Sequence, residues 1–270
     1  MPTVQQFIRQ DGVRQIVTGS ILILFMAFFV ISMIFIRQAG LLINAIYSLA
    51  FGLAGFAVFR SGWEDYISAK NYEDFTEDTT YETVPVFPQR MYIGHEHSAT
   101  YQATLYDMGG QSYSEIKKNT SFDIKLFRPF VALFSGDSLL PASYNLNIGD
   151  KQVYKIDKKG GFKWRGYVHQ PERGVVAYTS QEKESGKMIF RYLQGDQCRW
   201  QAEGDSLIGH FEVKDDKGKL WAVAKRNAIP MEAADRFSNM SGYLVEWKVR
   251  KEVPYSLLAF LFLIQTQTNV

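Results

Sequence analysis

Two histidines lie two residues apart in the stretch GHEH, which covers residues 94–97. Residues at this spacing share one face of an extended strand, so His95 and His97 could present two imidazole nitrogens to one metal ion. A site of this kind would also use a carboxylate a few residues further on, but the sequence ATYQA follows at 99–103. We therefore predict a solvated strand or loop here and no metal site.

Basic residues are concentrated in one predicted β-hairpin between residues 150 and 165. Because alternate residues of a strand face the same side, part of this set could form a patch that binds phosphate-bearing lipid headgroups. Phe162 and Trp164 lie beside it and could insert at a membrane interface. The simpler interpretation is a solvated hairpin without a ligand, and the sequence leaves both open. The candidate ligand-binding residues are Lys155, Lys158, Lys159, Lys163 and Arg165.

Sequence motifs of common enzymes are missing from the chain. It has no GxSxG nucleophile turn, no glycine-rich phosphate loop and no HExxH zinc motif. The single cysteine, Cys198, excludes an intramolecular disulfide and a zinc site built from several thiolates. We therefore predict no catalytic residues, no metal and no cofactor, in a protein that is not an enzyme.

The balance of charge argues against a nucleic-acid partner. Residues 1–82 carry 5 Lys and Arg against 8 Asp and Glu, whereas residues 83–270 carry 25 against 20, which together give the net charge of +2. The second part is therefore basic by only five charges, far fewer than nucleic-acid-binding domains usually carry. We predict no nucleic-acid binding.

Two long apolar segments come early in the chain. Residues 16–36 contain no charge, and residues 41–59 contain only Asn44 and Ser48 as polar interruptions. At about 1.5 Å per residue, each segment spans roughly the 30 Å hydrocarbon core of a bilayer. Only RQAG separates them, so the sequence predicts a transmembrane helical hairpin over residues 16–60. A cleaved signal peptide is the alternative, but the first segment is long for one and the second begins at once.

Positive charges near the two spans predict the orientation of the hairpin. Arg9 and Arg14 precede the first span, Arg60 and Lys70 follow the second, and only Arg37 lies between them. Since positive residues are more frequent on the cytoplasmic side, we predict a multi-pass protein of the cell membrane. Residues 1–15 would form a cytoplasmic N-terminus, and residues 61–83, rich in Asp and Glu, a solvated acidic linker to a cytoplasmic domain.

The remaining domain, residues 84–270, shows the pattern of an antiparallel β-structure. Short alternating segments rich in β-branched and aromatic residues recur along it, among them KQVYKID, KMIFRYLQ and KLWAVAKR. The turns between them, such as DKKGG, EKESG and DDKG, supply Asp to begin a turn and Gly to close it. This pattern predicts a sandwich or a barrel built from hairpins.

The C-terminal segment 254–268 interrupts this pattern. Pro254 suits a first helical turn, and the ten residues YSLLAFLFLI that follow are apolar on all sides. Such a helix is buried all round, but it is too short to cross a bilayer, which needs about 20 apolar residues. An open sheet cannot surround it, whereas a closed barrel can. A central strand and an interfacial helix are the alternatives that we disfavour.

Two stretches carry a family resemblance. FEVKDDKGKLWAVAKRN (211–227) resembles the strand–turn–strand units of the tubby C-terminal-like superfamily, which includes phospholipid scramblases and LURP-one-related proteins, and VPYSLLAFLFLIQTQ is similar to its last helix. The resemblance would cover residues 84–270 and implies a closed antiparallel barrel of about twelve strands around a central hydrophobic helix. It also implies binding of lipids or proteins more than catalysis. The N-terminal hairpin and the lack of a regular calcium-binding loop depart from the scramblase branch.

These observations predict a non-enzymatic, membrane-anchored protein of the mainly β class. Its barrel would bind lipid headgroups, anionic ones above all, or a protein partner at the cytoplasmic face. Two alternatives remain open at this stage: scramblase-like or accessory membrane transport, and a regulatory or immunity-type membrane protein.

Overall fold

The computed structural model consists of an N-terminal pair of long helices and a β-barrel that encloses a C-terminal helix. The residues that it describes are 4–35, 41–70, 83–95, 102–119, 142–149, 151–159, 165–171, 174–184, 186–195, 197–205 and 208–268.

The two long helices are α1 (Val4–Phe35) and α2 (Leu41–Lys70), and both are long and apolar enough to cross a membrane. They extend beyond the predicted spans, because residues 4–15 and 61–70 are also helical. The first ten residues of the predicted linker therefore belong to α2, where Arg60 and Glu64, one helical turn apart, form an ion pair at 2.9 Å. Residues 71–82 of that linker lie outside the described residues.

Glycines allow α1 and α2 to pack backbone against backbone. A Cβ atom on Gly62 would lie only 2.7 Å from the carbonyl oxygen of Gly12, and one on Gly19 would lie 2.8 Å from that of Gly55. These distances are too short for any side chain larger than hydrogen. Small residues at such contacts let two helices approach closely, which is how apolar spans gain packing contacts in lipid.

Twelve strands form a closed antiparallel barrel in which each strand pairs with its sequence neighbours, and β13 pairs with β2 to close the circle. Among the described residues, two further strands, β1 and β14, pair with each other in a separate two-stranded sheet. The strands are β1 (Thr83–Val86), β2 (Arg90–His95), β3 (Gln102–Asp107), β4 (Ser112–Lys118), β5 (Ala142–Ile148), β6 (Lys151–Lys158), β7 (Arg165–Gln170), β8 (Gly174–Glu184), β9 (Lys187–Gln194), β10 (Gln197–Asp205), β11 (His210–Asp215), β12 (Leu220–Arg226), β13 (Ser241–Trp247) and β14 (Lys251–Pro254).

Antiparallel pairing divides the connections between strands over two ends of the barrel. We call the end with the β6–β7, β8–β9 and β10–β11 connections the upper end. The lower end carries the β7–β8, β9–β10 and β11–β12 connections.

A short segment with helical turns covers the outer face of β2 and β13. It contains a 3-10 turn (Met231–Ala233) and α3 (Ala234–Phe237). The ring of Phe237 stacks on Tyr92 with 4.8 Å between the centroids, and the Arg236 guanidinium donates to the Met108 carbonyl at 2.6 Å. The sequence pattern had given no indication of this helical segment.

The C-terminal helix α4 (Tyr255–Thr268) fills the barrel interior. Every residue from Leu257 to Ile264 is buried, with 2% or less of its surface exposed. Near the start of the helix, Trp200 donates its indole N–H to Ser256 at 3.0 Å, and near its end Gln265 donates to the Ile93 carbonyl at 3.3 Å. The predicted barrel around a buried apolar helix is therefore confirmed. The central-strand alternative is wrong, because segment 255–268 is helical.

Candidate functional site

The helical hairpin contacts the barrel on the outer wall of β7 and β8. Strand residues alternate in direction, so Val168 and Ala177 join the barrel core while their neighbours Tyr167 and Tyr178 face outward. The first turns of α1 cover these tyrosines, and the ring of Phe7 stacks on Tyr178 with 5.1 Å between the centroids. A small apolar layer therefore joins the hairpin to the barrel.

Asp11 of α1 forms the first ionic contact of this junction. Its carboxylate is 1% exposed and pairs with the guanidinium of Arg165 at the start of β7. The hydroxyl of Tyr178 donates to the same carboxylate at 2.9 Å, and the Tyr167 hydroxyl lies 3.4 Å from it. Three barrel side chains therefore surround one acidic group of the hairpin.

Asp65 of α2 forms the second ionic contact. Its carboxylate accepts a hydrogen bond from the Lys159 ammonium at 2.6 Å and another from the Gln15 amide at 2.8 Å. The Lys159 ammonium also lies 4.4 Å from the centroid of the Tyr167 ring, within reach of a cation–π interaction. We call these side chains the junction cluster: Asp11, Gln15, Asp65, Lys159, Arg165, Tyr167 and Tyr178.

Within the junction cluster two carboxylates face two buried cations, and the exposed Arg14 guanidinium also lies 3.6 Å from Asp11. Burial raises the pKa of Tyr178 above its ordinary value, and the adjacent Asp11 carboxylate raises it further. Burial likewise raises the pKa of Tyr167, with Asp65 and Asp11 adding to the effect. Both hydroxyls therefore remain protonated donors. Chemically, this arrangement is suited to holding two parts of the protein together, because each ionic group already has a partner within the molecule.

The five predicted ligand-binding residues do not share one exposed patch. Lys159 and Arg165 are buried in the junction cluster, and Lys158 is buried at the end of β6. Lys155 is partly exposed, with its ammonium 3.5 Å from the Asp157 carboxylate. Lys163 lies outside the described residues. The physical reason is charge neutralisation, since the carboxylates of α1 and α2 take up the two central cations.

Asp157 lies on the outer surface of β6 in a second polar group. One of its oxygens lies 2.9 Å from His169 Nε2, and the other accepts a hydrogen bond from Ser143 at 2.7 Å. Burial by itself would raise the pKa of Asp157, but the contact with His169, the charge of Lys159 and the hydrogen bond from Ser143 hold that pKa well below its ordinary range.

The histidine motif of the sequence is only partly visible. His95 Nδ1 lies 3.1 Å from the Gln102 carbonyl oxygen, whereas His97 is outside the described residues. Among the residues that the structure describes, no group of three or more His, Cys, Asp or Glu side chains could hold a metal ion.

The sequence-based prediction missed the two acidic members of the junction cluster. Asp11 lies in the predicted cytoplasmic N-terminus, and Asp65 lies in the predicted solvated linker. One signal was available: each carboxylate lies within three residues of a glycine, Gly12 or Gly62, at which the two helices meet. An acidic residue beside a close helix contact is poorly solvated and needs a partner.

Comparisons with known proteins give no further guidance. No protein-family model matches the chain, and no curated protein and no solved structure matches it significantly.

Proposed function

We propose that this is a membrane-anchored binding protein without enzymatic activity. In this proposal α1 and α2 cross the cell membrane and hold the barrel at the cytoplasmic face, where the barrel binds lipid headgroups or a protein partner. The family resemblance to tubby-like domains remains a prediction, although the closed barrel around an apolar helix is the fold that it implies.

The junction cluster is the observation that carries the proposal. A flexible linker would be enough to keep a barrel near a membrane. Here two buried ion pairs, Asp11–Arg165 and Asp65–Lys159, also attach the barrel wall to the hairpin directly beside the apolar spans. Docking of this kind presents one defined side of the barrel to the bilayer, which is useful to a protein that works by binding at that surface.

The filled interior of the barrel supports binding at its outer surface. Residues Leu257–Ile264 of α4 occupy the space that a ligand would take in an open barrel. The excess of five basic residues after residue 82 favours anionic partners. Among lipids, these are headgroups that carry a net negative charge.

The charges beside the spans support a cytoplasmic barrel. Arg14 and Arg60 lie just outside the apolar segments, on the same side as the barrel, and both are largely exposed. Positive residues in this position are typical of the cytoplasmic side of a span.

Membrane extraction of the full chain tests the anchoring. We expect the protein to stay in the membrane fraction after an alkaline carbonate wash. We also expect the barrel to resist protease added to the outside of intact cells from which any wall has been removed. Release by carbonate would contradict the proposed anchoring, and digestion from outside would contradict the cytoplasmic orientation.

Headgroup binding can be tested on the full chain in detergent micelles. We expect water-soluble glycerophosphoinositol phosphates to bind, with an affinity that falls as salt is raised, and glycerophosphocholine to bind more weakly. If neither binds, the lipid version of the proposal is wrong. Cross-linking in native membranes then tests the protein-partner version.

A further inference from the structure

We propose that the upper end of the barrel lies in the headgroup layer of the bilayer that the hairpin crosses, so that the turn containing Ile208 contacts lipid. This inference rests on the proposed function, because it takes α1 and α2 as membrane spans. Beyond that anchoring, it specifies which surface of the barrel contacts the membrane and at what depth that surface lies.

The distance from the spans to the junction cluster sets this depth. Asp11 lies five residues before the apolar span that begins at Ile16, and Asp65 lies six residues after the span that ends at Phe59. At 1.5 Å per residue these separations are about 8 and 9 Å along the helices. The headgroup layer is about 5–8 Å thick on each side, the difference between a whole bilayer and its hydrocarbon core. The ion pairs therefore lie at the outer edge of that layer.

The barrel residues in these ion pairs lie at its upper end. Lys159 directly follows β6, and Arg165 is the first residue of β7, so both flank the β6–β7 connection. Because neighbouring strands are antiparallel, the connection between β10 and β11 lies at the same end. We therefore place the upper end of the barrel at the headgroup layer.

Among the described residues of the upper end, Ile208 is a large apolar side chain that is strongly exposed. It lies in the β10–β11 turn with 71% of its surface exposed. Gly209 has a φ of +70° and packs against Arg226, since a Cβ atom there would lie 2.4 Å from the Arg226 side chain, and its carbonyl accepts a hydrogen bond from the Arg226 N–H at 2.9 Å. A large, exposed aliphatic side chain beside such an anchored glycine suits contact with the interfacial region of a bilayer.

Other side chains limit how deep the contact goes. Trp63, four residues beyond Phe59 on α2, is 52% exposed, and tryptophan is enriched at the membrane interface. At the upper end, the β8–β9 hairpin exposes charged groups such as Glu184 and Lys187. These charges belong among headgroups and water, so the contact of Ile208 with lipid stays within the headgroup layer.

Single-cysteine labelling of the full chain tests this placement. In a Cys198→Ser background, Ile208→Cys, Met231→Cys and Leu24→Cys are each labelled with an environment-sensitive fluorophore and reconstituted into phosphatidylcholine vesicles with nitroxide-labelled lipids. Met231 is the matched control because it is 95% exposed and lies away from the upper end. The β12–β13 connection leaves the barrel at the upper end, but its Glu232 pairs at 3.0 Å with Arg90, the first residue of β2, which lies at the lower end. Leu24, 68% exposed near the middle of the first span, reports whether the hairpin is inserted.

We expect headgroup nitroxides to quench the fluorescence of the probe at 208 but not that of the probe at 231. We also expect the probe at 208 to emit further to the blue than the probe at 231, because its surroundings are less polar. Acyl-chain nitroxides should quench the probe at 24. Quenching at 24 without quenching at 208 would overturn this inference and leave the proposed anchoring intact. Equal quenching at 208 and 231 would overturn it too, because the barrel would then lie on its side. No quenching at 24 would overturn both the inference and the proposed function.

Discussion

At the scale of single residues, the junction cluster replaces water around charged groups with partners from other parts of the chain. Asp11 and Arg165 are 154 positions apart, and both side chains are almost wholly buried. Burying a charge is costly unless it is paired, so each group depends on the other. Exposed pairs on the barrel, such as Glu182 with Arg191, do not have this dependence.

Asp11→Asn should destabilise the folded protein by about 3–5 kcal/mol, because it leaves the buried Arg165 guanidinium without its carboxylate. The double variant Asp11→Asn/Arg165→Met should recover much of this loss. The matched control Glu182→Gln alters an exposed pair and should cost less than about 1 kcal/mol. Chemical unfolding of the full chain in detergent, followed by circular dichroism, measures all three. If Asp11→Asn and Glu182→Gln lowered the free energy of unfolding equally, the buried ion pair would contribute no more to stability than an exposed one.

Buried tyrosines predict a loss of stability at alkaline pH. Burial raises the pKa of Tyr92 to about 12 and the pKa values of Tyr167, Tyr178 and Tyr192 well above their ordinary value of 10. Since these pKa values are raised in the folded state, their contribution is fully present below pH 10 and is lost as pH rises further.

We therefore expect the free energy of unfolding to fall steadily above pH 10. Ultraviolet absorbance of tyrosinate should rise sharply at the pH at which the circular dichroism signal is lost. Tyr178→Phe cannot ionise and should lose less stability between pH 10 and pH 12 than the unaltered protein. A smooth titration of every tyrosine near pH 10, with the fold intact, would contradict the burial described above.

At the scale of elements, close contact between α1 and α2 aligns the acidic groups of the junction. Gly12 and Gly62 meet backbone to backbone, and the Gln15–Asp65 hydrogen bond lies beside them. Any widening of the hairpin would lengthen that hydrogen bond and shift Asp65 relative to Lys159. The spacing of the helices and the ion pairs are therefore coupled.

Gly62→Ala should lower stability by about 1–3 kcal/mol, the usual cost of overpacking. The new Cβ would lie 2.7 Å from both the Gly12 carbonyl oxygen and the Gln15 Cβ, which can move only if the helices part. The matched control is Gly52→Ala, whose Cβ would meet only the flexible Met26 side chain. In thermal unfolding in detergent, Gly62→Ala should unfold at a lower temperature than Gly52→Ala. Equal unfolding midpoints would argue against close packing of α1 on α2.

At the scale of the whole molecule, α4 is the core of the barrel and α1–α2 is a separate unit fixed to its wall. The apolar side chains of α4 each stabilise the fold by roughly 1.5–3 kcal/mol through burial. Few of the span residues, by contrast, are buried within the protein. A substitution that unfolds the barrel around α4 should therefore leave the helical hairpin in the membrane.

Leu258→Asp should unfold the barrel, because it places an unpaired charge at a site that is 1% exposed. The protein should still pellet with membranes after a carbonate wash, while its barrel becomes sensitive to protease in opened cells. Met231→Asp, on a side chain that is almost fully exposed, is the control and should leave the barrel resistant. Release of Leu258→Asp from membranes with a resistant barrel would mean that α4, and not the hairpin, is the anchor.

The two apolar helices, the antiparallel strands and the enclosure of segment 255–268 could all be predicted from the amino-acid sequence. These properties are local, since they depend on the length of an apolar run, on alternation and on turn residues within a few positions. The closed barrel followed because an apolar helix too short for a membrane needs a surface on every side.

Which charged residues form ion pairs could not be predicted, because it depends on how the chain folds in three dimensions. From the sequence, Lys159 and Arg165 belong to a predicted basic hairpin, Asp11 to a predicted cytoplasmic N-terminus and Asp65 to a predicted acidic linker. Barrel closure brings these four residues together across 94 and 154 positions of the chain. The pairing energy of charges depends on distance and burial, and neither quantity is encoded in local spacing. The same four residues are therefore internal partners in this fold, whatever ligand the outer surface binds.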